Sequence, residues 1–129
     1  MSLKKIYTDK APKPIGAYSQ AIVVDGKSIY TAGQVAIDPA TNQLVEGDIK
    51  TQTRQVLKNV EQVLKAAGSS MSSVFKTTVF LKDLGDFAAM NEVYAEFFSG
   101  SAPARSTVEV ARLPRDMKVE IEVVALVEE

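Results

Sequence analysis

Apolar side chains recur along the chain with two different periods, and these periods predict where helices and strands lie. Between Asp48 and Gly68 the apolar residues follow helical spacing, at Ile49, Val56, Val60, Val63, Leu64 and Ala67. Residues three or four apart fall on one face of a helix, so this spacing predicts one apolar stripe. Asp48 is a residue type that caps helix starts, and Gly68 is a type that follows helix ends. A first helix is therefore predicted between them.

A second helix is predicted after Asp86, which can cap its start, and it ends near Ser99 and Gly100. Its apolar stripe consists of Phe87, Met90, Tyr94, Phe97 and Phe98. Asn91 lies on this stripe, four residues after Phe87 and three before Tyr94. A buried amide must find hydrogen-bond partners, so Asn91 has either a structural bond to a loop or a role in a site.

Runs rich in β-branched and aromatic residues predict strands at 21–25, 28–32, 35–37, 74–81, 105–111 and 118–127. Asp25-Gly26 is a hairpin signal and predicts that the first two of these strands pair with each other. Residues 38–42 and 113–116 carry turn-forming residues. Two helices beside a mixed sheet predict the α+β class, and the length of 129 residues fits one domain, residues 1–129.

Two helices cannot cover both faces of such a sheet. Each is about 10 Å across, so together they cover about four strands on one face. On the last predicted strand one face is apolar, while the other carries Glu120 and Glu122 followed by Val124 and Leu126. A half-apolar face without a helix over it indicates an interface between subunits.

Composition limits the available chemistry, because the chain has no histidine, cysteine or tryptophan. These absences exclude imidazole bases, thiolate nucleophiles and conventional zinc or iron–sulfur sites. No compact Asp/Asn loop of the calcium type is present, so no metal site is predicted. The net charge of −1 argues against a nucleic-acid partner. No apolar run is long enough to cross a membrane, and the expected compartment is the cytoplasm, with the mitochondrial matrix as the alternative after removal of a presequence.

Arginine and glutamate supply the remaining candidates for chemistry. Arg105, Arg112 and Arg115 lie within eleven residues, and Arg105 shares one strand face with Thr107 and Glu109. A guanidinium at the start of a strand can form a planar fork for a carboxylate or phosphate, or can be a solvated edge residue.

Glu120 and Glu122 lie on one strand face, roughly 7 Å apart, where a carboxylate can activate water or simply face solvent. Tyr18 is either a packed aromatic residue or part of a site. Gly33, at a strand end, allows close approach of backbone to a ligand or to another chain.

Six short segments, which follow one another along nearly the whole chain, together form a recognisable sequence pattern. They are Ile-Gly-Ala-Tyr-Ser-Gln-Ala at 15–21, Thr-Ala-Gly-Gln at 31–34, Lys-Thr-Thr-Val-Phe-Leu-Lys-Asp-Leu at 76–84, Phe-Ala-Ala-Met-Asn-Glu-Val-Tyr at 87–94, Pro-Ala-Arg-Ser-Thr-Val-Glu-Val-Ala-Arg-Leu-Pro at 103–114 and Val-Glu-Ile-Glu at 119–122. As an ordered set they resemble the Rid family, the reactive intermediate deaminases, also called the YjgF or ribonuclease L-PSP family. The Pro-Ala-Arg-Ser motif resembles the archetypal deaminase branch.

The resemblance implies a chorismate-mutase-like α+β fold with two helices on one face of a mixed sheet. It also implies a homotrimer whose sheets face inward, with three clefts between subunits. The implied activity is hydrolysis of 2-iminobutanoate and 2-iminopropanoate to 2-oxo acids and ammonia, without cofactor or metal. Such imines are released by pyridoxal-phosphate enzymes such as threonine dehydratase.

By the same resemblance, Arg105 holds the substrate carboxylate and Glu120 activates water. Substrate binding is then expected at Tyr18, Gly33, Asn91, Phe87 and Thr107. Two positions depart from the family pattern, since Thr107 replaces a common cysteine and Ala32 replaces a common serine. The alternatives are a translation-inhibiting endoribonuclease, a small-ligand sensor and a holdase.

Overall fold

The computed structural model describes residues 2–100 and 102–128, so the predicted domain 1–129 includes Met1, Ser101 and Glu129 outside the described residues. The strands are β1 (Ser2–Ile6), β2 (Ala21–Asp25), β3 (Ser28–Tyr30), β4 (Ile37–Asp38), β5 (Gln43–Leu44), β6 (Val74–Leu81), β7 (Ala104–Glu109) and β8 (Val119–Leu126). The helices are α1 (Ile49–Ala66) and α2 (Phe87–Phe97). Short 3₁₀ turns lie at Met71–Ser73, Leu84–Asp86 and Pro114–Asp116.

The main sheet has four strands in the order β3-β8-β6-β7. Strand β8 runs antiparallel to β3 and β6, whereas β6 and β7 are parallel. A parallel pair needs a crossover connection, and α2 provides it. Both helices pack on one face of this mixed sheet, and the predicted α+β class is confirmed.

The predicted hairpin at Asp25-Gly26 is wrong. Strand β2 pairs with β1, which the sequence pattern did not predict, while β3 pairs with β8. A type I′ hairpin needs positive φ at both central residues, near +60°. Here Gly26 has φ 135 and Asp25 keeps a negative φ, so the turn directs β3 into a different sheet. Val35 and Ala36 also lie outside the short strand β4.

Helix α1 begins and ends as its sequence predicts. The Asp48 carboxylate accepts the Thr51 N–H at 2.8 Å, and Gly68 follows the helix with φ 76. Val63, a member of the predicted stripe, is 37% exposed, whereas Leu57, which the predicted stripe omits, is fully buried. Asp86 precedes α2, but its side chain makes no capping bond because the 3₁₀ turn at Leu84–Asp86 leads directly into the helix. No helix in the described part of the chain is both long and apolar enough to span a bilayer.

The two faces of the sheet differ in what covers them. The helix-side face contributes Val79, Leu81, Val119, Ile121 and Val123 to the core beneath α1 and α2. The opposite face, called the open face here, carries Lys76, Thr78, Phe80, Ser106, Val108, Glu120, Glu122, Val124 and Tyr30. On this face Tyr30 is 75% exposed and Val108 is 43% exposed.

Candidate functional site

Arg105 lies on the helix-side face at the β7 edge of the sheet. Its register partner on β6 is Thr77, whose side chain is fully buried under α2. The Arg105 guanidinium carbon lies 4.6 Å from the ring centroid of Tyr94 and 5.3 Å from that of Phe87. The ring of Tyr18 forms a third wall at 5.8 Å. Aromatic faces within about 6 Å attract a cation, so these rings hold the guanidinium in place.

Helix α2 presents three side chains to the Arg105 guanidinium from one stripe. They are Phe87, Asn91 and Tyr94, which are spaced four and three residues apart. The Oδ1 atom of Asn91 accepts a hydrogen bond of 2.6 Å from Nη1 of Arg105. The amide predicted to have a structural or a site role therefore orients the arginine.

The segment carrying Tyr18 runs along the start of β7. Ser19 forms a parallel bridge with Ala104, and its N–H donates to the carbonyl of Pro103 at 3.0 Å. Gly16 lies nearby, where a Cβ atom would be 3.6 Å from Nη2 of Arg105. Backbone pairing therefore positions the Tyr18 ring against the guanidinium.

Arg105 is a half-buried cation, and no carboxylate lies within ion-pair distance of it among the residues that the structure describes. Burial lowers the pKa of its guanidinium, while the neighbouring Tyr94 and Tyr18 act in the opposite direction. An arginine stays charged at neutral pH even so. A guanidinium has five N–H donors, and the bond to Asn91 uses one of them. Its open donors match the two oxygens of a carboxylate.

The ring of Tyr94 packs against the Arg105 guanidinium, and Tyr94 is fully buried. Its hydroxyl shares a 2.8 Å hydrogen bond with Oγ1 of Thr77, and its ring lies 4.6 Å from that of Phe98. Burial raises the pKa of Tyr94 to about 12. The phenol is therefore neutral at any ordinary pH, and it acts through its ring and its hydrogen bond.

Thr107 lies two residues after Arg105, on the same face of β7. Within 2–100 and 102–128, its Oγ1 is the buried side-chain polar atom without a hydrogen-bond partner. Buried hydroxyls normally form hydrogen bonds, so this hydroxyl, on the same strand face as the open N–H donors of Arg105, is suited to contact a ligand. Together, Tyr18, Phe87, Asn91, Tyr94, Arg105 and Thr107 are called the arginine half-site below.

Glu120 lies on the open face of β8, in register with Phe80. Gly33 is directly against it, because a Cβ atom at position 33 would be 2.0 Å from Oε2 of Glu120. Gln34 fixes this contact by pairing with Ile121, through hydrogen bonds of 2.9 and 3.1 Å in both directions. Gly33 and Glu120 are called the glutamate half-site below.

The two half-sites lie on opposite faces of the sheet within one chain. Thr77, Val123 and Arg105 are on the helix side, whereas Phe80 and Glu120 are on the open side. Side chains on opposite faces of a strand point away from each other. One chain by itself therefore does not enclose a small ligand between Arg105 and Glu120.

Comparison with known proteins fits this combination of fold and residues. The sequence profile described as Endoribonuclease L-PSP matches residues 8–127. The chain belongs to the L-PSP family, also called RutC, YjgF or Rid. The match covers both half-sites of this Rid-family chain.

Relatives in the Rid family extend over nearly the whole chain. A RutC family protein of Pyrococcus horikoshii is 59% identical over 93% of this chain and 94% of its own length. The rat protein named 2-iminobutanoate/2-iminopropanoate deaminase is 48% identical over 95% of this chain and 89% of its own. The crystal structure titled E. coli TdcF with bound serine is 44% identical and has a TM-score of 0.74, covering 95% of this chain and 98% of that one.

Sequence reasoning missed two buried members of the site and one lining residue. The sequence predicts Tyr94 only as part of the apolar stripe of α2, and Thr77 and Gly16 occur only within the segments that carry the family resemblance. The signal for Tyr94 was its spacing from Phe87 and Asn91, which places all three on one side of α2. No group of three carboxylates that could hold a metal ion lies among the described residues.

Proposed function

We propose that the protein is an imine deaminase that hydrolyses 2-imino acids, such as 2-iminobutanoate and 2-iminopropanoate, to 2-oxo acids and ammonia. The observation that carries this proposal is the aromatic-walled guanidinium of Arg105, which has no carboxylate within ion-pair distance among the residues that the structure describes. Such a group suits the carboxylate that every 2-imino acid has. The rat relative named for this activity supports the choice of substrate.

Substrate binding follows from the arginine half-site. Arg105 holds the carboxylate with its open N–H donors, while Asn91 keeps the guanidinium in one orientation. The hydroxyl of Thr107 lies on the same face and bonds a polar atom of the substrate. Phe87 and Tyr18 then face the short alkyl group of the substrate. This fixed position places the imine carbon for attack by water.

The chemical step requires one base and no cofactor. Glu120 accepts a proton from water as the oxygen adds to the C=N carbon and passes it to the imine nitrogen, which becomes the amine of a carbinolamine. Glu120 then accepts the hydroxyl proton as the C=O bond forms and the C–N bond breaks, and it gives that proton to the departing nitrogen. The net reaction consumes one water and releases one ammonia. An imine is already electrophilic, and each tenfold acceleration requires only about 1.4 kcal/mol.

The site is completed between copies of this chain, which we propose form a homotrimer with inward-facing sheets. The opposite-face placement of Arg105 and Glu120 supports this assembly, since a neighbour's open face can bring its Glu120 to the arginine half-site. The exposed Tyr30 and Val108 on the open face support it as well. Three equivalent clefts would result from three copies.

The direct test combines the protein with threonine dehydratase, threonine and semicarbazide, which traps the free imine. The expected result is less semicarbazone and faster 2-oxo acid release as the protein is added. The Arg105→Ala variant should lose the effect, whereas Lys58→Ala, which removes an exposed charge from α1, should keep it. No acceleration by the wild type, or full activity in Arg105→Ala, would exclude this function.

A further inference from the structure

Two of the three clustered arginines take no part in the proposed reaction. Arg112 and Arg115 lie in the loop between β7 and β8, at the opposite end of β7 from Arg105. Both are exposed, and neither forms an ion pair within the described residues. Long charged side chains are common on protein surfaces, so further evidence is needed to distinguish a site from a solvated loop.

The first such evidence is local charge. The loop holds three cations, Arg112, Arg115 and Lys118, against one anion, Asp116. Both oxygens of Asp116 already contact Nζ of Lys82, at 3.0 and 3.1 Å. The Asp116 carboxylate is therefore paired with a lysine from another element, and within residues 2–100 and 102–128 neither guanidinium forms an ion pair. This positive area occurs in a chain of net charge −1, so it does not reflect a generally basic protein.

The second is a cavity of about 470 Å³ lined by Ala111, Arg112, Leu113, Arg115 and Asp116. Small-molecule pockets range over about 300–1,000 Å³, so this volume accommodates more than a bare ion. Its walls combine two planar forks with the apolar side chains of Ala111 and Leu113. A second cavity of about 260 Å³ adjoins Arg115 and Asp116 and is also lined by Lys82, Lys118 and the carboxylate of Glu46.

The third is the backbone that carries Arg115. Both Arg115 (φ 58) and Asp116 (φ 57) are in the left-handed region, which non-glycine residues rarely adopt. Two consecutive residues there are less common still. Hydrogen bonds from Asp116 N–H to Leu113 and from Met117 N–H to Pro114 hold the turn at 3.1 and 3.2 Å. The turn fixes the Arg115 backbone, and unfavourable backbone held in this way is a mark of functional loops.

We propose that this loop is a second binding site, which takes a small phosphate monoester. A doubly charged oxyanion fits between two guanidiniums, each of which can form paired N–H···O bonds. The organic part of the ligand packs against Ala111 and Leu113. The site does not depend on the proposed deaminase activity, because it lies at the other end of β7 and shares no residue with either half-site.

Calorimetric titration with glycerol 3-phosphate tests this site. We expect saturable binding to the wild type, at least tenfold weaker binding to Arg112→Gln, and no change in Lys58→Gln, which removes one exposed charge elsewhere. Arg115→Gly should also weaken binding at least tenfold. Glycine adopts left-handed φ without strain, so this variant should keep or raise the melting temperature and remains informative if other variants unfold.

Three outcomes would overturn the proposal. The first is no saturable binding to the wild type, and the second is equal weakening in Lys58→Gln, which would indicate general charge screening. The third is tighter binding of succinate or of a short RNA than of glycerol 3-phosphate, which would reassign the loop to dicarboxylates or to a polyanion. Imine hydrolysis, measured in parallel, should be unchanged in Arg115→Gly, so failure of one proposal does not imply failure of the other.

Discussion

Gly33 lies so close to Glu120 that a Cβ atom at position 33 would be 2.0 Å from the carboxylate oxygen and 2.9 Å from Cγ. The Gly33→Ala variant must therefore move the Glu120 carboxylate. Because that group is the end of a flexible side chain, we expect little loss of stability but at least a tenfold loss of kcat, which corresponds to about 1.4 kcal/mol. The semicarbazide assay and a melting curve measure the two effects.

The matched control is Gly100→Ala, because no heavy atom lies within 4 Å of a Cβ atom placed there. It should leave both kcat and melting temperature unchanged. Full activity in Gly33→Ala would show that the position of Glu120 is unimportant for the reaction.

Mixed assemblies test whether Arg105 and Glu120 of different copies form one site. Arg105→Ala and Glu120→Gln chains should each be inactive alone. When they are unfolded together and refolded, a cleft that takes its arginine from one copy and its glutamate from the next has both groups in about one quarter of cases. We therefore expect about a quarter of wild-type activity to return. If both groups act within one chain, none returns.

Asn91→Asp should convert the orienting amide into a competitor for Arg105. The native Oδ1 accepts from Nη1 at 2.6 Å, and a carboxylate at that place would pair with the guanidinium directly. The substrate carboxylate then meets an arginine that is already neutralised, so KM should rise at least tenfold, about 1.4 kcal/mol, with a smaller change in kcat. Asn91→Ala removes the group that orients Arg105 but adds no negative charge, so it should raise KM less than Asn91→Asp does. Equal KM values in the two variants would contradict this account.

Burial of Tyr94 predicts a loss of stability at high pH. Burial raises the pKa of Tyr94 from 10.0 to about 12. Below pH 10 the phenol is neutral in both the folded and the unfolded chain, so its contribution to the free energy of unfolding has its full value. Between pH 10 and about 12 the unfolded chain loses this proton first, so the free energy of unfolding falls, by about 3 kcal/mol in total.

Urea unfolding at pH 9 and pH 11.5 measures this loss. Tyr94→Phe should be less stable than the wild type at pH 9, because the hydroxyl of Thr77 loses its partner. It should also lose less stability between the two pH values. Tyr7→Phe, which changes a 55% exposed tyrosine away from the open face, should behave as the wild type does. The same pH dependence in all three proteins would rule out Tyr94 as its source.

Leu57 and Val63 test the packing of α1. Leu57 is fully buried, so Leu57→Ala should lower the free energy of unfolding by about 2–5 kcal/mol. Val63 is 37% exposed, so Val63→Ala should lower it by less than about 0.5 kcal/mol. Urea unfolding of both variants compares these costs. If both variants lost the same free energy of unfolding, the buried face of α1 would not be the one that contains Leu57.

The sequence predicted elements best where local chemistry decides them. The predicted bounds of β6 match the structure, and Asp48 and Gly68 mark α1, because capping and apolar periodicity act within a few residues. The pairing of β1 with β2 was not predictable in this way. Strand β1 is short and lysine-bearing, and its partner is set by contacts far along the chain.

In the candidate site, too, the local sequence predicts some features, whereas others depend on contacts far along the chain. Alternation along a strand correctly places Arg105 with Thr107 and Glu120 with Glu122. Whether these two pairs share a face of the sheet depends on strand order and register, which alternation does not contain. The role of Tyr94 was missed for a related reason, since a tyrosine on an apolar helix stripe gives no sign of the cation that packs on it.

The opposite-face placement of Arg105 and Glu120 has a consequence for how the proposed activity depends on concentration. In the proposed assembly, a dissociated chain would keep Arg105 but lack the neighbour's Glu120, so it would bind the substrate carboxylate without hydrolysing the imine. Activity per chain should therefore decline on dilution while binding of a 2-oxo acid persists. Below the concentration at which copies assemble, the protein would act as a reversible reservoir of 2-imino and 2-oxo acids.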